Sequence, residues 1–422
     1  MVRVGLVGFG GYGWTLVDGL RSLSEKLDFR IVCAADTRLA DLPERGELLA
    51  AEGAKLFDDA MEMYQAMRGK CDAVYIATSI HSHMPLTLAA VENSYHVHLE
   101  KPAAATVQEV DRMIDAVQAA DRLCLVGFQA MHGADLLAIK DRICSGRLGR
   151  VHTLACCALW PRTDAYYARN EWAARLQCGR NWVLDSPTAN ALAHQVNNML
   201  FWAGDAPRRY ATPAAVRAEL YAARKQAPEA NRSHDTAAIE ILTDSGPRAY
   251  FLASHCSEDT RGPMTTIVAE NGRVEWTIQQ GATIRYADGT EEVLEKDTND
   301  RHAMIENFIE AVRTGSGEHL RCTLHDARNM VLALDGAHES SRRVHEIPPS
   351  AVRSVGEGDQ RRDVIERIDA LLTDAAARPC LLSDLPDAPA WCAATEPFAM
   401  DGYDTFPRQF AACGTRGDAG SP

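Results

Sequence analysis

The chain opens MVRVGLVGFGGYG, a short apolar run that passes straight into glycines. Gly8, Gly10 and Gly13 keep Gly-x-Gly-x-x-Gly spacing, and TLVDGLRSL (15–23) behind them places Leu16, Leu20 and Leu23 on one helical face. Strand, tight turn and helix in so few residues leave little freedom. The glycines let the backbone approach a ligand closely, and the unpaired N–H groups at the helix start suit a pyrophosphate. Gly8, Phe9, Gly10, Gly11, Tyr12 and Gly13 are therefore expected to line a dinucleotide. FRIVCAAD (29–36) reads as the next strand and ends in Asp36, near the spacing at which a carboxylate takes ribose hydroxyls. A carboxylate there repels a 2′-phosphate and favours NAD. Arg38, two residues on, offsets part of that repulsion and admits NADP.

Strand and helix keep alternating after this turn. CDAVYIATS (71–79), HVHLE (96–100) and RLCLVGFQ (122–129) read as strands, with MPLTLAAVEN as a helix between the first two. Thr106 and Glu109 form a capping box ahead of Val107, Val110, Ile114 and Val117, which recur at helical spacing. Nearly all-apolar strands separated by helices predict a doubly wound parallel sheet of the Rossmann kind, here over residues 1–125. Beyond about residue 150 the pattern changes. VHTLACCALW, DTAAIEILTD, RAYFLASHC, TTIVAENGRVEWTI and ATIRYADGTEEVL are strands joined by short turns, with ENGR and ADGT as hairpin signals. They predict an α+β domain over 126–345 built on a large, mostly antiparallel open sheet, with an amphipathic helix near 300–313. Residues 346–422 read as an extension laid on the core, with one helix through Val364, Ile365, Ile368, Leu371 and Leu372 and a loose last ten residues.

Composition narrows the classes. The formal net charge of −14 argues against a nucleic-acid partner. Twelve cysteines lack any Cys-x-x-Cys pair, which points to free thiols in a reducing cytoplasm. His255, His302 and His325 stand alone without metal-ligand spacing, so no metal is expected. No window holds the roughly 20 apolar residues that span a bilayer, and no membrane role is expected. A large sheet with an open face commonly finds a partner, which favours a homodimer or homotetramer.

The stretch HVHLEKPAAAT (96–106) ends a buried strand in Glu100, Lys101 and Pro102. Pro102 restricts Lys101 to extended conformations, at the carboxyl end of a strand where open α/β sheets bind ligands. Beside a nicotinamide, oxidation of an alcohol needs a base, and a lysine of lowered pKa can serve; an exposed Glu-Lys pair at a strand end is the plainer alternative. Taken together, the glycine turn, YIATSIHSHMPLTLAAVENSYHVHLEKP and the antiparallel second domain resemble the Gfo/Idh/MocA family of sugar and polyol oxidoreductases over roughly residues 1–345. The resemblance implies that Lys101 contacts substrate and nicotinamide ribose, and that Thr78, His81, His83 and Glu100 belong to the cofactor site. Ser79-Ile80 replaces the Pro-Asn usual in that family.

LDSPTANALAHQVNNMLFWAG (184–204) reads as a helix opened by Ser186 and Pro187, with Asn190, His194 and Asn197 in one polar stripe. The family has Asp-x-x-x-His here. His194 matches the histidine, which the resemblance makes the general base, while Asn190 stands where the substrate-binding aspartate is expected. Asp185 is either a substitute carboxylate or a favourable charge at the helix start. Tyr166, Arg169 and Trp172 suit a carbohydrate pocket or, equally, a subunit contact. Gln129 faces the nicotinamide or is a plain loop residue. The expected activity is hydride transfer between NAD, or NADP, and a hydroxyl or keto carbon of a sugar, polyol or related cyclic compound. Redox-assisted glycoside cleavage and a non-catalytic sugar-binding regulator remain as alternatives.

Overall fold

The computed structural model describes residues 1–225 and 227–411; the expectation of a loose last ten residues falls outside that range. The chain divides into two compact units, one of Met1–Ala134 with Asp297–Arg328, the other of Asp135–Lys296 with the chain from Asn329 onward.

The first unit holds six strands: β1 (Val2–Val7), β2 (Phe29–Ala35), β3 (Lys55–Phe57), β4 (Ala73–Ile76), β5 (His96–Leu99) and β6 (Cys124–Val126). All pair in parallel in the order β3-β2-β1-β4-β5-β6, as the apolar strands predict. The helices are α1 (Gly11–Leu23), α2 (Pro43–Ala51), α3 (Ala60–Ala66), α4 (His83–Glu92) and α5 (Val107–Ala119). Both halves of the Thr106–Glu109 capping box form, and α5 buries Val107, Val110, Met113 and Ile114. The helix Asp300–Thr314 places Met304, Ile305, Phe308 and Ile309 in one core with Val4, Leu16 and Leu20. The winding reverses between β1 and β4, so their carboxyl ends border a topological switch point.

The second unit begins with α6 (Ala134–Cys144), β7 (Val151–Leu159), α7 (Asp164–Tyr167), the short pair β8 (Gln177–Cys178) and β9 (Asn181–Trp182), and α8 (Ala193–Ala203). Then follow β10 (Pro213–Ala222), β11 (Thr236–Thr243), β12 (Arg248–Ser254), β13 (Arg261–Ala269), β14 (Gly272–Thr277), β15 (Gly281–Tyr286), β16 (Glu291–Glu295) and β17 (His345–Glu346). The sheet runs β16-β15-β14-β13-β7-β12-β11-β10-β17. β7 with β12 and β10 with β17 are parallel, and every other pair along it is antiparallel. One face receives α8, where Trp202 meets Trp276 edge-on at 5.6 Å between ring centres. Cys157, Leu159, Ala238 and Leu252 point to the other face and are covered by the helix Ile368–Ala377 through Ile368, Leu371, Leu372 and Ala375. Val364 and Ile365, expected in that helix, instead lie in a strand, Arg362–Ile365, and the helix starts only after Arg367, whose φ is 64°. Farther along, Leu242, Arg248, Thr153 and Val268 form one cross-strand row in which Leu242 and Val268 stay exposed.

Lys140 on α6 is 2 % exposed and donates to the carbonyls of Phe201, Gly204 and Arg209 at 2.5, 2.7 and 3.1 Å. These are orphan acceptors at and beyond the end of α8, and an ammonium there satisfies them and meets the negative end of the helix dipole. Lys140→Met is expected to cost roughly 3 kcal/mol, because it strands buried carbonyls; thermal melts of the variant read the loss. Among the described residues, no helix is long and apolar enough to cross a membrane.

Candidate active site

In the first unit the expected cofactor residues gather at the carboxyl ends of the strands. Gly8 has φ +80°, and a Cβ added to it would lie 2.6 Å from the Ala77 carbonyl. A Cβ on Gly13 would sit 2.3 Å from the Gly8 carbonyl oxygen, so the first turn of α1 packs on the loop with no room for a side chain. This leaves the amino end of α1 directed past β1, with Gly11 and the half-exposed Tyr12 on its first turn. Phe9 is fully buried and anchors the loop in the core.

Asp36, 8 % exposed, follows β2. Its Oδ2 accepts from the backbone N–H groups of Phe9 (3.0 Å) and Gly10 (3.1 Å), and Oδ1 accepts from Arg38 N (2.9 Å). A carboxylate has about four acceptor positions, so one remains for a ribose hydroxyl. The Arg38 guanidinium reaches back to Gly10, where a Cβ would come within 2.9 Å of Nη2.

Thr78 follows β4 and accepts from Ser82 Oγ at 2.8 Å. His81 lies in the adjoining turn, and His83 starts α4. His83 is 1 % exposed; its Nδ1 lies 2.9 Å from the Pro102 carbonyl and Nε2 3.3 Å from the Thr78 carbonyl. Burial pushes its pKa down to about 4, so the ring is neutral and its single N–H donates to one of these two carbonyls, while the ring packs between the turn after β4 and the loop after β5. That loop carries Glu100 and Lys101. Glu100 is 5 % exposed, accepts from Lys101 N at 3.3 Å, and packs on Gly127. Gln129 opens the turn after β6. The buried Gln129 Oε1 and Glu100 Oε1 both lack a hydrogen-bond partner among the described residues, which is what a site built to receive amide or hydroxyl donors of a nicotinamide ribosyl group leaves open. The glycine cradle and these orphan acceptors fit a dinucleotide.

Burial raises the Glu100 pKa from 4.5 to about 7, against the lowering effect of Lys101. The folded chain therefore holds this proton to higher pH than the unfolded chain. The stability so gained is complete below about 4.5 and lost as pH rises through about 7, a contribution of about 3 kcal/mol. Melting temperatures at pH 5 and pH 8 should converge in Glu100→Gln relative to the unmodified chain; an unchanged difference would refute this.

The second unit assembles the other set. The expected continuous helix from Ser186 is broken: Ser186 caps a π-turn, Pro187–Ala191, and α8 starts only after Leu192. A regular 100° stripe therefore does not run through Asn190, although His194 and Asn197 share a face of α8. The wider turn lets Asn190 Nδ2 donate to Asp185 Oδ1 at 2.8 Å. Asp185, 3 % exposed, also accepts from Ala174 N at 2.8 Å and pairs with Arg169 at 3.3 Å. Arg169 lies over Tyr166 at 3.9 Å from the ring centre and over Trp172 at 5.4 Å. The structure thus brings Asp185, Asn190, Arg169, Tyr166 and Trp172 into one cluster, with the Asp185 carboxylate beside the amide that stands in the aspartate position. Asn197 is fully buried, and neither amide atom has a hydrogen-bond partner among the described residues. Sequence reasoning passed over two further members. Tyr167 OH lies 3.0 Å from His255 Nδ1, and Arg162 stacks over Tyr166 at 4.8 Å. The aromatic-rich segment 160–176 was the available signal for both. Among the described residues no group of His, Cys, Asp and Glu is placed to hold a metal ion.

A family model described as an oxidoreductase family with an NAD-binding Rossmann fold matches residues 2–128. Over this domain the chain is similar to the Gfo/Idh/MocA oxidoreductases. Its first unit is an NAD-binding Rossmann domain. Among curated relatives, a myo-inositol 2-dehydrogenase of Thermotoga maritima is 27 % identical over 153 residues, 36 % of this chain and 44 % of that protein. An inositol 2-dehydrogenase of Rubrobacter xylanophilus is 32 % identical over 151 residues, 35 % of this chain and 41 % of that one. The chain thus spans less than half the length of these two relatives. The fold extends further than the sequence match. A Bordetella pertussis WlbA dehydrogenase in complex with NADH and UDP-GlcNAcA superposes with TM-score 0.66 at 21 % identity, over 81 % of this chain and 96 % of that one. A levoglucosan dehydrogenase in complex with NADH gives 0.67 at 16 % identity, over 81 % and 96 %.

Proposed function

We propose that the protein is an NAD-dependent dehydrogenase that oxidises a secondary hydroxyl of a sugar, polyol or related cyclic compound, with the first unit binding the cofactor and the second the substrate. The reading rests chiefly on the cluster in the second unit. Asp185, Asn190 and Arg169 offer hydroxyl donors and acceptors beside the rings of Tyr166 and Trp172, and His194 follows four residues after Asn190. Polar groups at the edge of aromatic rings match a ring compound with equatorial hydroxyls and apolar C–H faces. The names of the relatives, inositol and levoglucosan dehydrogenases, support the same substrate class.

In this reading His194 takes the hydroxyl proton, and the Lys101 ammonium polarises the oxygen as negative charge develops on it. Bound NAD would supply the acceptor for the hydride that leaves the carbinol carbon, while the hydroxyl proton passes to the His194 imidazole and a carbonyl remains. Asn190 is a neutral amide and adds no basicity to His194; Asp185 supplies the charge, holding the amide and Arg169 in place. Asp36 recognises the adenine-side ribose and sets the preference for NAD, with Arg38 admitting NADP. A homo-oligomer fits the exposed row through Leu242 and Val268. A fluorescence screen for NADH formation across inositols, hexoses, sugar acids and acyclic polyols tests the activity. At least one cyclic member should reduce NAD faster than NADP; NADH binding with no turnover of any member would overturn the reading.

A further inference from the structure

Arg162 lies just after β7, and its main chain fixes it: N donates to the His255 carbonyl at 3.0 Å, and its own carbonyl accepts from Arg224 Nη1 at 3.2 Å. Its side chain is half-buried over two rings, 4.9 Å from the centre of Trp160 and 4.8 Å from that of Tyr166. The neighbouring guanidiniums each have a carboxylate: Arg169 has Asp185, Arg224 has Asp164, and Arg361 has Asp164 and Asp363. No carboxylate among the described residues pairs with Arg162, and its buried Nε has no hydrogen-bond partner.

Stacking on aromatic faces shields a guanidinium from water without neutralising it. A half-buried cation in this state is costly unless a counter-charge arrives. The surroundings carry its field. Burial first, and then the charges of Arg162, Arg169 and Arg224, hold the His255 ring well below its usual pKa and hence neutral. The ring that Arg162 covers is also the ring that Arg169 covers. Contacts therefore run without a gap from Asn190 through Asp185, Arg169 and Tyr166 to Arg162, and a ligand held at Asn190 has the uncompensated charge within the same cluster.

We propose that Arg162 is a specificity-determining residue that binds a carboxylate of the substrate, so that the site selects a polyhydroxy acid over the neutral sugar. A carboxylate matches the planar fork of a guanidinium in two parallel hydrogen bonds, a geometry that a single hydroxyl cannot supply. The assignment rests on the dehydrogenase reading of the same site.

The test uses matched pairs, glucuronate with glucose, galacturonate with galactose and gluconate with glucitol, offered to the unmodified chain and to Arg162→Gln and Arg162→Lys. NAD reduction reports turnover, and calorimetry with NADH present reports binding. In the unmodified chain the acid of at least one pair should exceed its neutral partner by about 10-fold or more in kcat/KM. In Arg162→Gln that ratio should fall about 10-fold, mainly through KM, with partial return in Arg162→Lys. An Arg162→Gln variant that melts like the unmodified chain and keeps the acid-to-neutral ratio would overturn the proposal. So would preference for the neutral members, absence of acid binding, or binding of sugar phosphates in place of acids. Acid binding that depends on Arg162 without NAD reduction would keep the carboxylate site and remove the dehydrogenase reading. Oxidation of neutral sugars with no acid bound would do the reverse.

Discussion

Gly13→Ala is expected to abolish NADH binding, with affinity at least 100-fold weaker, about 2.7 kcal/mol or more. The added methyl would meet the Gly8 carbonyl oxygen at 2.3 Å, a backbone atom that no side-chain rotation can move aside. To relieve the contact the first turn of α1 must lift from the loop, and its N–H groups then leave the position from which they meet a pyrophosphate. Gly11→Ala is the matched control. Gly11 has φ +45° and nothing within 4 Å of an added Cβ, so only the backbone strain of a left-handed residue applies, of about 1 kcal/mol. Titration of NADH fluorescence should separate the two variants clearly, and melts would show whether Gly13→Ala still folds. Equal affinity in both variants would remove the glycine cradle as the cofactor site.

The second large effect belongs to Lys101 and His194. Lys101→Met keeps the length of the side chain and removes its charge, while His194→Gln keeps a polar group and removes the base. Each is expected to lower kcat by about 100- to 10,000-fold, the range of a lost proton-transfer group. NADH affinity should change little in His194→Gln, since this residue lies in the second unit, outside the Rossmann domain. Lys101 follows β5 beside the buried Glu100, so its variant is expected to weaken cofactor binding modestly as well. Glu100 sharpens the contrast: with a pKa raised to about 7 by burial, it gains its negative charge beside Lys101 as pH rises through neutrality.

Much of this was legible in the residues, for identifiable reasons. The parallel sheet announces itself because buried strands in a doubly wound fold are apolar on both faces, and the glycine turn is tied to its setting. The hairpins at Glu270–Asn271 and Asp288–Gly289 carry their turn residues openly. β3 was missed because three residues at a sheet edge give no period. β10, PAAVRAELYA, is rich in good helix formers, and the sheet overrides its local preference. The helix Leu324–Ser341 was missed for the opposite reason: from Met330 to Ser341 every residue is buried, including Asp335, His338 and Glu339, so no polar face marks a helical period. At the site, Asn190 stands out by helical spacing and Asp185 as a substitute for the aspartate that the resemblance implies, yet the π-turn that joins them has no sequence signature. Arg162 belongs to no motif; its place over two rings without an ion-pair partner among the described residues singles it out.

The most direct measurement is a single-turnover record of NADH formation by the unmodified chain, Lys101→Met, His194→Gln and the double variant, with the best substrate from the screen and saturating NAD. If both groups act on the proton and charge of one hydroxyl, each single change slows the burst by about 100-fold or more, and the double change costs far less than the product of the two. A burst of near-normal rate in either single variant would contradict the account.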